Sequence, residues 1–148
     1  MAENLYPVFD IPAQTGATQA QTQRYHPAPC FDFDAGDFVR DGGGRVVMCD
    51  GEQAYRQWCH KMLLTQKGAC LAYTALGVAG EEAQRESTPA AVRSALERAI
   101  SEALLAHPGT KRVSDFSYEI QGEVLRIAFI VYPYDMAAFT MDYTVLGR

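Results

Sequence analysis

The most constraining feature of this chain is the alternation between roughly Lys111 and Leu146. Phe116, Tyr118 and Ile120 alternate with Asp115, Ser117 and Glu119. After Gln121-Gly122, the residues Leu125, Ile127, Phe129 and Val131 point one way and Arg126, Ala128 and Ile130 the other. Tyr132-Pro133-Tyr134-Asp135 interrupts the pattern. It then resumes with Phe139, Met141, Tyr143 and Val145 set against Thr140, Asp142 and Thr144. A period of two with short polar turns predicts an antiparallel three-stranded meander with one buried face. One buried face needs a partner layer. Val92, Leu96, Ala99/Ile100 and Ala103/Leu104 supply it as the apolar stripe of a helix. That helix is capped by Ser87 or Thr88, has Pro89 in its first turn and stops at His107-Pro108-Gly109. Arg93 with Glu97 and Arg98 with Glu102 are spaced as i,i+4 pairs on its wet face.

A second helix is predicted from Asp50, with Gln53 in capping-box position, to about Lys67-Gly68. Its stripe is Ala54/Tyr55, Trp58/Cys59 and Met62/Leu63. Upstream, Phe31, Phe33 and Phe38-Val39 flank the acidic turn Asp34-Ala35-Gly36-Asp37. Asp41-Gly42-Gly43-Gly44 then leads into Arg45-Val46-Val47-Met48, a β-hairpin pattern. Between the helices, residues 69–73 read as a short strand or buried turn, and 81–86 as a short acidic helical turn. The expected fold is α+β. A small antiparallel sheet, made of the C-terminal meander plus the N-terminal hairpin, packs against two main helices in one domain over residues 31–148.

Residues 1–30 differ. Pro7, Pro12, Pro27 and Pro29 accompany the polar run TGATQAQTQ, a composition too poor in apolar surface to offset backbone entropy. Leu5, Tyr6, Val8, Phe9 and Ile11 give this stretch an apolar tip, so it reads either as an extended docking arm or as a loose terminus with a few chance hydrophobes.

Charge and length exclude several classes. With 13 Lys+Arg against 18 Asp+Glu, the net charge of −5 does not favour nucleic acid or an anionic membrane. The longest apolar run, Ile127 to Tyr132, is strand-sized, far short of the ~20 residues that span a bilayer. The N-terminus lacks a basic, apolar secretion signal, so the chain is expected to stay in the cytoplasm where it is made or to leave by lysis. Cys30, Cys49, Cys59 and Cys70 form no CxxC pair and read as reduced, mostly buried thiols.

No catalytic or metal constellation stands out, and no cofactor is called for. His26, His60 and His107 belong to no triad motif. Cys59 and His60 are about 100° apart on a helix and make a poor nucleophile–base pair. His107 is placed to interact with a helix C-terminal dipole. Asp32, Asp34, Asp37, Asp41 and Asp50 lack the EF-hand spacing and read as solvated turn acids. Glu102 and Glu119 are weak candidates for a glycosidase acid.

The order Phe31-Asp32-Phe33, Gly36-Asp37-Phe38-Val39-Arg40, Asp50-Gly51 and Ala54-Tyr55-Arg56-Gln57-Trp58 resembles the small baseplate proteins of contractile phage tails and phage-tail-like bacteriocins. So does His107-Pro108, Val113 and Phe116-Ser117-Tyr118-Glu119 before an apolar strand. The likeness covers about residues 31–132. It is similar to the wedge and sheath-initiator family sometimes called lysozyme-like, in its Gram-positive prophage form. The resemblance implies a non-enzymatic part of a tail baseplate particle, virion or bacteriocin, assembled in the bacterial cytoplasm. Copies would ring the tube, with the sheath protein, other wedge proteins and the tail tube as partners. It implies that a sheath arm adds to the last strand, Phe139, Thr140, Met141, Asp142, Tyr143, Thr144, Val145 and Leu146. It also implies a wedge contact at the helix–sheet junction. Many relatives have Glu-Pro-Arg there; His107-Pro108-Gly109 keeps only the proline, and Lys111 or Arg112 stands nearby to supply the charge. A wall-cleaving enzyme and a stand-alone binding adaptor are the alternatives.

Overall fold

The computed structural model describes residues 25–146. Strand β1 (Ala28–Pro29), β2 (Phe31–Asp32), β3 (Asp37–Phe38) and β4 (Met48–Cys49) precede helix α1 (Gly51–Leu64). Then come α2 (Gly80–Ala83), α3 (Pro89–Leu105), β5 (Thr110–Gln121), β6 (Val124–Pro133) and β7 (Phe139–Leu146). The predicted α+β architecture is present, with the meander in the order β5-β6-β7.

Both long helices start where their caps dictate. Asp50 Oδ1 accepts the Gln53 N–H at 2.8 Å, and Thr88 Oγ1 accepts that of Ala91 at 3.2 Å. α1 ends at Leu64, short of Lys67-Gly68, because Thr65 leaves the helix into extended backbone. The buried stripes meet the inner face of the meander. Tyr55, Cys59, Met62 and Leu63 from α1 join Leu96, Ile100 and Leu104 from α3 against Ile127, Phe129, Val131 and Val145. Two of these groups are held by chemistry as well as packing. The Tyr55 hydroxyl and Thr110 Oγ1 lie 2.7 Å apart in the interior. Glu97 accepts the Tyr118 hydroxyl and the Arg93 guanidinium lies 5.4 Å from that ring. Arg93 and Glu97, expected to pair with each other on the wet face, thus both engage Tyr118.

The meander departs from the sequence pattern at one point. Val113 and Phe116 both face inward, although three residues apart on a strand they should face opposite sides. The register shifts between Ser114 and Ser117, and Asp115 sits at φ +61°. This bulge inserts one residue and restores the phase, setting Phe116 on Phe129 with ring centroids 5.4 Å apart. Ile120, expected on the buried face, is 65% exposed. β5 has 12 residues, or about 40 Å of strand, against about 25 Å for the 17-residue α3. The hairpin tip therefore overhangs its helix.

The N-terminal module is more closed than one hairpin. β2 pairs with β3, Arg40 bridges Val46 across the glycine loop, and β1 pairs back with β4. Three backbone hydrogen bonds form a ring: Cys30 N–H to Val47 O (2.8 Å), Val47 N–H to Val39 O (2.9 Å) and Val39 N–H to Cys30 O (2.9 Å). Closing that ring brings Cys30 and Cys49 to a Cα–Cα distance of 5.1 Å, and they form a disulfide. The expectation of four reduced thiols is corrected for this pair. Its cause is the β1–β4 pairing, which residue spacing does not reveal. Cys59 is a free buried thiol and Cys70 a free exposed one. Residues 69–73 form turns, with Leu71 94% exposed, so the strand or buried turn expected there is absent.

Candidate assembly surfaces

Chemistry-bearing residues are mostly spent on structure. Asp32 Oδ1 accepts the N–H groups of Asp34 and Ala35, Asp37 that of Phe38, Asp41 those of Gly43 and Arg45, and Asp50 that of Gln53. Carboxylates so used shape turns. Among the described residues no group of three or more His, Cys, Asp or Glu is placed to hold a metal ion. Burial pushes the Cys59 thiol up to about 12, so it stays protonated. His60 turns to Phe33, with ring centroids 4.3 Å apart. Glu102 and Glu119 are exposed on different elements, and Glu119 accepts from Gln121 Nε2 at 2.8 Å. No helix of the described residues is long and apolar enough to cross a membrane.

The meander has two edges, and they are not equivalent. β5 carries the Asp115 bulge. The Asp115 carboxylate accepts the Tyr132 and Ser114 hydroxyls, each at 2.8 Å, and these donors hold its pKa below the usual carboxylate range. Arg112 lies 3.9 Å over the Tyr132 ring. A bulged, charged edge is a poor template for another strand. β7 instead runs against β6 from Val131↔Phe139 to Val124↔Leu146 without a shift. Among the described residues no strand pairs with its other side.

The direction of the β7 backbone follows from the register. Gln121 and Val124 close a two-residue turn whose Gly122 has φ +62°, a value that glycine adopts freely. Such a turn is closed by a hydrogen-bonded pair, so Val124 turns its N–H and C=O toward β5. Arg126 and Ala128 follow, and Ser117 Oγ reaches Ala128 O at 3.4 Å. Their β7 partners, Thr144 and Asp142, then stand in non-hydrogen-bonded pairs. The N–H and C=O groups of Thr140, Asp142, Thr144 and Leu146 therefore point away from β6. Phe139, Met141, Tyr143 and Val145 face the core and direct their backbone groups into the ladder.

The helix–sheet junction is a second surface. Pro108, Lys111 and Arg112 are exposed, while the His107 ring packs inward. It stacks on Tyr25 (6.1 Å) and tilts against Tyr55 (4.9 Å) and Trp58 (4.7 Å). His107 Nδ1 accepts the Gly109 N–H at 2.9 Å just past the end of α3. Tyr25, which sequence reading missed, locks this corner. Its hydroxyl donates to Gly109 O at 2.9 Å and accepts from the Tyr134 N–H at 3.2 Å. The only signal for it was a lone aromatic after a polar run. A Cβ on Gly109 would fall inside contact distance of the Tyr25 ring and 2.9 Å from His107 Nδ1. Tyr25 thus fills the space that a side chain at Gly109 would need. The arm residues Leu5, Tyr6, Val8, Phe9 and Ile11 lie outside the described residues.

Burial first, then His26, lowers the His107 pKa. Among the described residues the other titratable groups lining its cavity are Tyr25, His26, Tyr55 and Lys61, with no carboxylate to hold a proton there. A pKa lower in the folded than in the unfolded state gives stability that is full above about 6.5 and lost as pH falls through the folded value. Thermal melts should show a drop in Tm between pH 7.5 and 5 that His107→Gln, whose amide oxygen can replace Nδ1, makes shallower. Equal slopes would count against this account.

No curated protein matches the chain. The sequence profile of the contractile injection system sheath initiator matches residues 30–134, most of the chain, and the protein belongs to that family.

Proposed function

We propose that this chain joins the baseplate wedge and tail tube to the sheath and starts sheath assembly by offering β7 to an incoming sheath strand. Membership of the sheath-initiator family supports a structural role at the baseplate and sheath of a contractile particle. The observation that carries the finer reading is the outer edge of β7, unpaired among the described residues, with the backbone groups of Thr140, Asp142 and Thr144 turned outward. Backbone hydrogen bonds to these groups supply affinity. The alternation of Phe139, Met141, Tyr143 and Val145 with the outward residues fixes register. Copies form a ring around the tube. The junction at His107, Pro108, Lys111 and Arg112 faces other wedge proteins, and the apolar arm residues Leu5, Tyr6, Val8, Phe9 and Ile11 add a further contact in the assembled ring.

Co-assembly tests this reading. Baseplate, tube and sheath proteins are expressed together with the chain lacking Phe139–Leu146, and particles are imaged. Bare tubes are the expected result; fully sheathed tails would sink the proposal.

A further inference from the structure

A strand edge with unused backbone groups is also a template for a second copy of itself. The outer edge of β7 is unpaired among the described residues, and the backbone groups of Thr140, Asp142, Thr144 and Leu146 turn outward along it. The inner face is incomplete on the same side. Ile127 and Phe129 on β6 are 0% and 1% exposed, yet their β7 partners Tyr143 and Met141 are only partly buried. A strand beyond β7 would cover these two side chains.

Two copies of one edge meet about a two-fold axis, with their strands antiparallel. An axis at Tyr143 sets Asp142 opposite Thr144 of the second copy and Thr140 opposite Leu146. All four outward residues are then used, in about eight hydrogen bonds. An axis at Asp142 or at Thr144 pairs only three of them among themselves. The Asp142 axis also puts two carboxylates face to face, which like charges disfavour. The Tyr143 axis is complementary in charge instead. Arg126 binds its own Asp142 at 3.2 Å and stands beside Thr144 in the ladder. The second copy's Asp142, opposite that Thr144, falls in the same cross-strand row as Arg126. Each carboxylate thus has a guanidinium on either side of it. On the inner face Tyr143 meets Tyr143, and Met141 meets Val145, so apolar groups meet apolar groups.

We propose that in the unassembled protein two copies pair through β7 about an axis at Tyr143, each covering the other's edge before sheath is present. That the covered edge is the sheath-docking edge rests on the function proposed above; the dimer itself rests on the strand register and charge.

Sedimentation of the natural chain should show its mass rising about two-fold with concentration. Thr144→Pro, which removes an outward donor, should stay monomeric. Cysteine pairs test the register, in a Cys70→Ser background because Cys70 is a free exposed thiol. Chains with Asp142→Cys should form disulfide-linked dimers with Thr144→Cys chains under diamide, since Cα atoms of such a pair stand about 5.5 Å apart. Either variant alone should give none, because like positions are then diagonal, about 7–8 Å apart. A natural chain that is monomeric at every concentration would overturn the proposal, as would cross-linking by Asp142→Cys chains alone. The two readings fail separately. A monomeric natural chain with bare tubes from Thr144→Pro rejects the dimer alone, and a β7 dimer with normal sheathing by Thr144→Pro rejects the docking role alone.

Discussion

Thr144→Pro should leave the domain folded and abolish sheath nucleation. The Thr144 N–H points away from β6, so its loss removes no ladder hydrogen bond. The side chain is exposed and the position lies on an edge strand, where proline is tolerated. The expected stability change is within about 1 kcal/mol. An incoming strand, however, would lose a donor and meet the pyrrolidine ring. Tyr143→Pro, one residue away, should behave oppositely. Its N–H lies in the ladder with Ile127 and its side chain packs on the core, so it should cost about 3 kcal/mol or more. Urea melts and electron microscopy of co-assembled particles separate the two effects. Normal sheathing by the folded Thr144→Pro variant would remove β7 as the docking edge.

The second large effect concerns the Cys30–Cys49 disulfide. It spans a sequence separation of 19 residues, a loop for which the chain-entropy treatment gives about 3 kcal/mol. The module it closes is mostly exposed. Gln57 clamps it to α1 by accepting the Phe31 N–H and donating to Pro29 O, each at 2.8 Å. Phe31 meets Phe33 and Phe38 edge-on. The double variant Cys30→Ser/Cys49→Ser should therefore speed amide exchange at position 30, Val39 and Val47 together, by on the order of a hundredfold for a loss of about 3 kcal/mol. The amides of Ile127, Phe129 and Val131 should change far less. Unchanged exchange at the three ring amides would show that their hydrogen bonds need no covalent closure.

Legibility from sequence followed the range of the interactions. Local rules placed α1 and α3 from Asp50, Thr88 and Pro89, because caps act within one turn. Alternation placed β6 and β7, since an inner row packed on the core leaves a clean period of two. The bulge at Asp115 was hidden because the phase change from Val113 to Phe116 is set by contact with Phe129, not by local preference. The disulfide was hidden because β1–β4 pairing is non-local. The candidate docking strand could be read from its pattern. Which of its backbone groups face outward could not, since that depends on the Gly122 turn and the whole β6 register. The junction was located from His107-Pro108, yet the role of Gly109 emerged only once Tyr25, distant in sequence, was seen against it.

The most direct test of the account is a cryo-EM map of the assembled particle at a resolution that traces main chain around β7. The account predicts a strand from a sheath subunit beside Phe139–Leu146, hydrogen-bonded to the backbone of Thr140, Asp142 and Thr144. A sheath subunit seated elsewhere, with that edge open or covered by another baseplate chain, would contradict it.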